Sequence, residues 1–156
     1  MIKKGIILAG GTGTRMSPLT KAVNKQLLPI YDKPLIFYPL SILMLSGIRN
    51  ILIVVNKGQL EQYKKILPNG DNLGIKISYT EQPSPKGLPD AFLIGEKFIN
   101  NDNVALILGD NFFYGQNLTN KLRKQAQLSK GASVFLHPVK KTELYGVAKI
   151  DKKNKI

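Results

Sequence analysis

The sequence predicts an α/β domain built on a mainly parallel sheet. Short runs of β-branched and aliphatic residues alternate with segments of helical spacing through most of the 156 residues, and this alternation is typical of strand–helix–strand units. With 43% hydrophobic residues the chain can bury a core, and its length suits one domain. We therefore expect residues 1–156 to form one domain with helices packed against the sheet.

The apolar runs are bounded by Gly, Asn, Asp or Pro, which is the usual setting of buried strands. The predicted strands cover residues 6–9, 51–55, 75–79, 104–108 and 132–136. The predicted helices cover residues 34–46, 59–67, 88–99 and 118–129. Gly47 suits the C-terminal cap of the first helix, and Pro68 ends the second.

Composition excludes several classes of protein. The chain has no Cys, so it can form no disulfide framework, thiol nucleophile or thiolate metal site, and a reducing cytoplasm fits. The apolar stretch 35–48 is too short and too interrupted to span a bilayer, so we expect no membrane segment. The formal net charge is +13, but the excess is scattered lysine. This favours a solvated coat over a specific nucleic-acid surface.

Polar residues follow the predicted strands, at the edge of a parallel sheet where ligands bind. The first run leads into a glycine-rich loop, residues 10–15, which ends at Arg15, and Lys25 follows ten residues later. Glycines let backbone N–H groups approach phosphate oxygens, and Arg and Lys neutralise phosphate charge. The alternatives are a tight turn of no chemical consequence and ordinary surface cations.

Asp110 directly follows the most apolar run, residues 104–109. A carboxylate there requires a partner, and Mg²⁺ bound to substrate phosphates would supply one. The alternative is a turn or helix cap. His137, the only histidine, lies outside these groups. We therefore expect chemistry that depends on positioning and charge rather than on a covalent nucleophile.

Segments 8–15, 18–20 and 25–30 together resemble the signature of the sugar-phosphate nucleotidylyltransferases, and most closely that of members that transfer a thymidylyl group. The resemblance continues through further motifs. These are residues 31–34, 38–41, 81–83, 87–88, 108–111 and 113–115. It implies a three-layer Rossmann-like domain and the transfer of a thymidylyl group from dTTP to glucose 1-phosphate, giving dTDP-glucose and pyrophosphate with Mg²⁺ as cofactor.

The resemblance also assigns roles to residues. Arg15, Lys25 and Asp110 would be catalytic, and Asp110 would bind the metal. The residues implied for nucleotide binding are Leu8, Gly10, Gly11, Thr12, Gly13, Thr14, Arg15, Gln26, Gln82 and Gly87. The residues implied for sugar binding are Leu108, Tyr145 and Gly146. An anionic phosphate that attacks in line requires alignment and charge stabilisation but no general base.

Two departures from the family pattern bear on function. Pro89 and Asp90 stand where the family has Ala and Gln; Pro89 suits a first helical turn, whereas Asp90 adds negative charge near the base-binding segment. Family members also continue beyond residue 156, with a Glu-Lys pair and a second metal-binding aspartate. We therefore expect a domain truncated at its C-terminal end, with weak or absent turnover and a tendency to form homo-oligomers. Alternatives are a non-catalytic nucleotide-binding module, a UTP-using uridylyltransferase and a polyanion-binding protein.

Overall fold

The computed structural model describes residues 1–11 and 13–151. Its strands and α-helices are, in chain order, β1 (Lys4–Leu8), β2 (Pro29–Ile30), β3 (Lys33–Pro34), α1 (Phe37–Leu45), β4 (Asn50–Asn56), α2 (Leu60–Ile66), β5 (Lys76–Gln82), α3 (Asp90–Ile94), α4 (Glu96–Ile99), β6 (Val104–Leu108) and α5 (Leu118–Gln125). Short 3-10 helices lie between several of them. Strand and helix alternate as predicted.

The central sheet has the strand order β5-β4-β1-β6, and each neighbouring pair is parallel. Strand β1 lies between β4 and β6, with Leu8 opposite Val54 on one side and Leu108 on the other. Strands β2 and β3 form a separate antiparallel hairpin. The prediction of a mainly parallel sheet is therefore confirmed.

Successive residues of the central strands face opposite sides of the sheet, and both sides are covered. Ile7 and Ile53 pack in a core with residues of α1, α2 and α5. Ile6 and Leu52 pack on the other side against Ala91 of α3 and partly buried residues of α4. Burial on both faces explains why these strands are almost continuously apolar. The arrangement is the expected three layers.

Helix boundaries follow local signals in the sequence. After α1, Gly47 has φ +87°, and its amide bonds to the Met44 carbonyl while the Ile48 amide bonds to that of Leu43. This pair of bonds is a Schellman cap, which favours glycine. Helix α2 ends at Ile66, two residues before Pro68. Both predicted helix ends are confirmed to within one or two residues.

The predicted helix 88–99 is two short helices, α3 and α4, that meet at Gly95. A Cβ on Gly95 would lie 3.0 Å from Ile6 Cδ1, so the absence of a side chain lets this layer approach the sheet closely. Pro89 occupies the N-cap position of α3 with φ −61°, which a proline ring adopts without strain. The expectation that Pro89 is accommodated at the start of a helix is confirmed.

The predicted strand at residues 132–136 is wrong. This segment has no strand structure, and Val134, Phe135 and Leu136 are about half exposed. A strand requires a neighbour to accept and donate its backbone hydrogen bonds, and within the described residues β6 pairs with β1 alone. The apolar composition of residues 132–136 suggested a strand, but composition does not show whether another strand lies alongside to pair with it.

No helix in residues 1–11 and 13–151 has the length and apolar character required to span a bilayer.

Candidate active site

The parallel direction of the strands brings several of the predicted site residues to one edge of the sheet. From β1 the chain proceeds outward to β4 and β5 and then returns to place β6 on the opposite side of β1. The order of strands therefore reverses between β1 and β6, and in such sheets ligands bind in the crevice at the carboxyl ends of these two strands. The glycine-rich loop follows β1, and Asp110 follows β6.

Lys25 and Asp110 form an ion pair in this crevice. Lys25 Nζ lies 2.7 Å from Asp110 Oδ2, and both side chains are roughly one-third exposed. Lys25 begins a 3-10 helix, Lys25–Leu27, whose preceding Asn24 caps it by accepting the Gln26 amide. A cation and a carboxylate from distant parts of the sequence thus meet at the open edge of the sheet.

The glycine-rich loop is packed against Lys25. Gly13 has φ +60°, and a Cβ there would lie 2.8 Å from Thr20 Cγ2 and 3.4 Å from Lys25 Cβ. Thr20 Oγ1 donates to the Gly13 carbonyl at 2.8 Å. On the other side of the crevice, the Gly109 amide donates to the Leu8 carbonyl at 2.9 Å. The ends of β1 and β6 are therefore joined directly below the loop.

A second polar group lies at the ends of β1, β4 and β5. Asn56 ends β4, and Gln82 ends β5 directly opposite it. The Asn56 amide donates from Nδ2 to the Gly11 carbonyl at 3.0 Å and accepts from the Gly11 amide at Oδ1 at 3.1 Å. Gln82 Nε2 donates to the same Oδ1 at 2.9 Å. Gln82 is almost fully buried.

A third group holds the segment that carries Lys25. The buried Asn24 accepts from the Tyr63 hydroxyl at 2.8 Å and donates to Gln59. The same hydroxyl lies 3.1 Å from the Ala9 carbonyl, so Tyr63 of α2 connects β1 with the Lys25 segment. Next to Lys25, Gln26 Oε1 is a buried oxygen without a hydrogen-bond partner among the described residues. Such an atom is costly unless a ligand or water donates to it.

Burial changes the acidity of two tyrosines near this framework. Burial, together with the nearby Tyr79, raises the pKa of Tyr63 well above its usual range. Burial also raises the pKa of Tyr79 to about 12, and the Tyr79 hydroxyl donates to the Leu67 carbonyl. Both side chains are therefore neutral donors at physiological pH.

Several other predicted residues are exposed and take no part in the contacts described above. Arg15 and Thr14 lie in an exposed 3-10 helix, Thr14–Met16, and the Arg15 guanidinium forms no ion pair or hydrogen bond within residues 1–11 and 13–151. Gly87, with φ +99°, lies in the exposed loop after β5. Tyr145 and Gly146 are exposed, and the Tyr145 amide bonds locally to Thr142. Thr12 lies outside the described residues.

The carboxylates of the described residues could hold a magnesium ion only together with ligands from outside the protein. The described residues contain no group of three or more His, Asp or Glu side chains that could enclose a metal. Mg²⁺, however, commonly takes one or two protein carboxylates and completes its shell with water and substrate phosphates. Asp110 beside Lys25 fits that arrangement, because a triphosphate in the crevice would supply the remaining oxygens.

The roles of Asn24, Asn56 and Tyr63 were not predicted from the sequence. Asn56 directly follows an apolar run, as the glycine-rich loop and Asp110 do, so inspecting the end of the second predicted strand in the same way would have found it. Tyr63 had no such signal, because its hydroxyl reaches the site only through the packing of α2 on the sheet.

Comparison with known proteins finds a matching family model and similar curated proteins. A family model described as nucleotidyl transferase matches residues 4–156. The chain is 55% identical over 148 residues to a glucose-1-phosphate thymidylyltransferase of Neisseria meningitidis, covering 95% of this chain and 51% of that protein. It is 50% identical to one of Xanthomonas campestris, covering 99% and 52%. The chain thus spans about half the length of the curated relatives it matches.

Solved structures have the same fold. A Bacillus anthracis protein assigned as a glucose-1-phosphate thymidylyltransferase and solved with sucrose superposes with a TM-score of 0.87 at 36% identity, covering 96% of this chain and 60% of that one. A UDP-glucose pyrophosphorylase complexed with UDP-glucose superposes with a TM-score of 0.67 at 35% identity, covering 81% and 52%.

Proposed function

Because the chain belongs to the nucleotidyl transferase family, we propose that it binds dTTP with Mg²⁺ and contributes to thymidylyl transfer to glucose 1-phosphate. The products would be dTDP-glucose and pyrophosphate. The names and the 50–55% identity of the curated relatives support this substrate pair.

The observation that carries the proposal is the Lys25–Asp110 ion pair beside the Gly13 turn. A metal-bound triphosphate needs backbone donors, a cation for its phosphate oxygens and a carboxylate for its metal. The Gly13 turn, Lys25 and Asp110 lie together at the reversal of strand order. On binding, Lys25 would move from Asp110 to a phosphate oxygen, and Asp110 would take part in holding the metal.

The reaction is an in-line displacement at phosphorus. A phosphate oxygen of glucose 1-phosphate attacks the α-phosphorus of dTTP, and the bond from that phosphorus to the bridging oxygen of the β-phosphate breaks. Pyrophosphate leaves with the electron pair, and Arg15 would hold it. Lys25 would neutralise charge on the reacting phosphates, and a bound Mg²⁺ would add further neutralisation. The attacking oxygen is already anionic, so no side chain has to remove a proton.

Other residues would bind the thymine base of dTTP and the sugar of glucose 1-phosphate. Gln82 and the backbone of Gly87 would read the pyrimidine, and Leu108, Tyr145 and Gly146 would approach the sugar. The unpartnered Gln26 Oε1 would accept a hydrogen bond from a bound ligand or its water. Tyr145 and Gly146 are exposed, and among the described residues neither forms a hydrogen bond with Lys25 or Asp110. We therefore expect slow turnover.

The proposal extends to cellular context. Nucleoside triphosphates and sugar phosphates are intracellular metabolites, which supports a cytoplasmic location. The half-exposed Val134, Phe135 and Leu136 support self-association, because adjacent exposed apolar side chains favour contact with another protein surface.

Calorimetry with dTTP in the presence and absence of Mg²⁺, followed by an assay of pyrophosphate release with glucose 1-phosphate, tests the proposal. We expect Mg²⁺-dependent binding of dTTP and slow release. Failure to bind dTTP with Mg²⁺ would contradict it. Binding that Asp110→Ala leaves unchanged, with no release of pyrophosphate, would indicate a non-catalytic nucleotide-binding module. Tighter binding of UTP than of dTTP would indicate a uridylyltransferase.

A further inference from the structure

Asn56 has only one orientation that satisfies its contacts with Gly11. The Gly11 amide can only donate and its carbonyl can only accept, so the side-chain oxygen of Asn56 must face the amide and the nitrogen must face the carbonyl. Reversing the Asn56 amide would place donor against donor and acceptor against acceptor. The backbone of the glycine-rich loop therefore fixes this side chain.

The fixed Asn56 in turn orients Gln82. Asn56 Oδ1 is an acceptor, so Gln82 must present its nitrogen to it, and Nε2 lies 2.9 Å away. Its other amide atom, Oε1, accepts no hydrogen bond within the part of the chain that the structure describes. Gln82 thus keeps an acceptor for a ligand, while one of its two N–H donors is used by Asn56.

Gly10 provides the space for this arrangement. A Cβ on residue 10 would lie 1.7 Å from Gln82 Nε2 and 2.9 Å from Asn56 Oδ1. The Gln82 amide therefore lies where any other residue at position 10 would place its side chain. Gly10, Asn56 and Gln82 stand at the ends of three neighbouring strands, so the pairing of these strands fixes their relative positions.

We propose that Asn56 is a positioning residue that makes the site select thymine or uracil over cytosine by holding the Gln82 amide with its oxygen toward the base. This inference rests on the proposed function, in which Gln82 reads the pyrimidine edge. Thymine and uracil carry an N3–H donor, which Oε1 would accept. Cytosine has an unprotonated N3, which would face Oε1 as acceptor against acceptor.

Rejection of cytosine depends on Gln82 being unable to rotate. A reversed Gln82 amide would offer a donor to cytosine N3 but would turn its oxygen toward Asn56 Oδ1. Two acceptors in contact at a nearly buried site are unfavourable. Without Asn56, Gln82 is free to adopt either orientation, and the site then tolerates cytosine.

The test measures dissociation constants for dTTP, dUTP and dCTP with Mg²⁺ by calorimetry on the whole chain. We expect Asn56→Ala to lower the preference for dTTP over dCTP about tenfold, the order of one oriented hydrogen bond. Asn56→Asp keeps the oxygen that faces Gln82 and should retain the preference while weakening all three nucleotides. The ratio of dTTP to dUTP, which share the N3–H, should not change. Asn120→Ala on the exposed side of α5 is the control.

Three results would overturn the inference. Equal loss of affinity for all three nucleotides in Asn56→Ala would mean that Asn56 only shapes the loop. A further fall in preference when Asn56→Ala is added to Gln82→Ala would mean that the two residues act independently. If the unaltered chain does not bind dTTP, the proposed function fails together with the inference. Should Asn56→Ala not fold, Asn56→Ser, too short to reach both partners, is expected to lower the preference likewise.

Discussion

Lys25 Nζ and Asp110 Oδ2 are 2.7 Å apart although 85 positions separate the residues in sequence. The pair joins the segment after the glycine-rich loop to the end of β6. In the absence of ligand, each charge satisfies the other. A metal-bound triphosphate carries a cation and anionic oxygens. Its cation can pair with Asp110 and its oxygens can pair with Lys25, so both side chains stay compensated when their own ion pair is broken.

Asp110→Asn should remove the Mg²⁺-dependent part of dTTP binding. The amide keeps the size of the side chain but loses the charge that would attract the metal, so we expect at least about a tenfold weaker affinity with Mg²⁺ and little change in EDTA. Calorimetry under both conditions measures this. Asp32→Asn, which removes the carboxylate of the exposed Asp32–Lys33 pair, is the matched control. Equal effects of the two variants would contradict a specific metal role.

Gly10→Ala should weaken both the fold and nucleotide binding. The added methyl would occupy the position of the Gln82 amide, and such overpacking lowers the free energy of unfolding by about 1–3 kcal/mol. Urea unfolding followed by circular dichroism, together with dTTP calorimetry, measures both effects. Gly115→Ala, where a Cβ has no neighbour within 4 Å, should change neither. Normal stability and affinity in Gly10→Ala would show that Gln82 moves aside without cost.

Tyr63→Phe should destabilise the protein by about 1 kcal/mol, the net value of one buried hydrogen bond. The substitution removes the hydroxyl that contacts Asn24 and Ala9 and leaves the packing of the ring intact. Urea unfolding at neutral pH measures the loss. Tyr114→Phe, at an almost fully exposed tyrosine, should have no effect, and a similar loss in both variants would argue against the buried contact.

Alkaline pH should destabilise the fold through Tyr79. Burial raises its pKa from 10.0 to about 12, so between these values the native state binds more protons than the unfolded state. The resulting stability is fully present below pH 10 and is lost as the pH rises through 12. Between pH 8 and 11, the urea concentration at the midpoint of unfolding should fall with pH less steeply for Tyr79→Phe than for the unaltered chain. Parallel curves would show that Tyr79 does not contribute.

Exposed apolar residues after α5 should cause self-association. Sedimentation velocity is expected to show a larger species whose fraction grows with protein concentration, because burial of these side chains favours contact. Replacing Val134 and Leu136 with Ser should lower that fraction, whereas Leu73→Ser, at an isolated exposed leucine, should not. A monomer at all concentrations would contradict the expectation.

Local patterns predicted most of the architecture. Strands that are buried on both faces appear in the sequence as continuous apolar runs. A helix cap with positive φ favours glycine, so a single residue such as Gly47 indicates where the helix ends. The same patterns could not show that residues 132–136 lack a partner strand, because pairing depends on which backbone lies alongside. The break at Gly95 was missed for a similar reason: the glycine there is explained by contact with Ile6 of another layer.

The candidate site was predictable where function requires a particular residue type at a strand end. The glycines after β1 and Asp110 after β6 belong to that class, and Lys25 was predicted as a cation that follows the glycine-rich loop in sequence. The support of Lys25 by Asn24 and Tyr63, and of Gln82 by Asn56, arises from strand register and helix packing. An asparagine can make such contacts almost anywhere, so its identity alone does not reveal a role.

The position of β1 between β4 and β6 has a consequence for biosynthesis. A nascent chain emerging from the ribosome can pair β1 with β4 first, but the other edge of β1 stays open until β6 has been made. Asp110 lies two residues beyond the end of β6, so the crevice between β1 and β6 cannot exist before that edge closes. A ligand that binds there would hold β6 against β1 and so stabilise the paired strands.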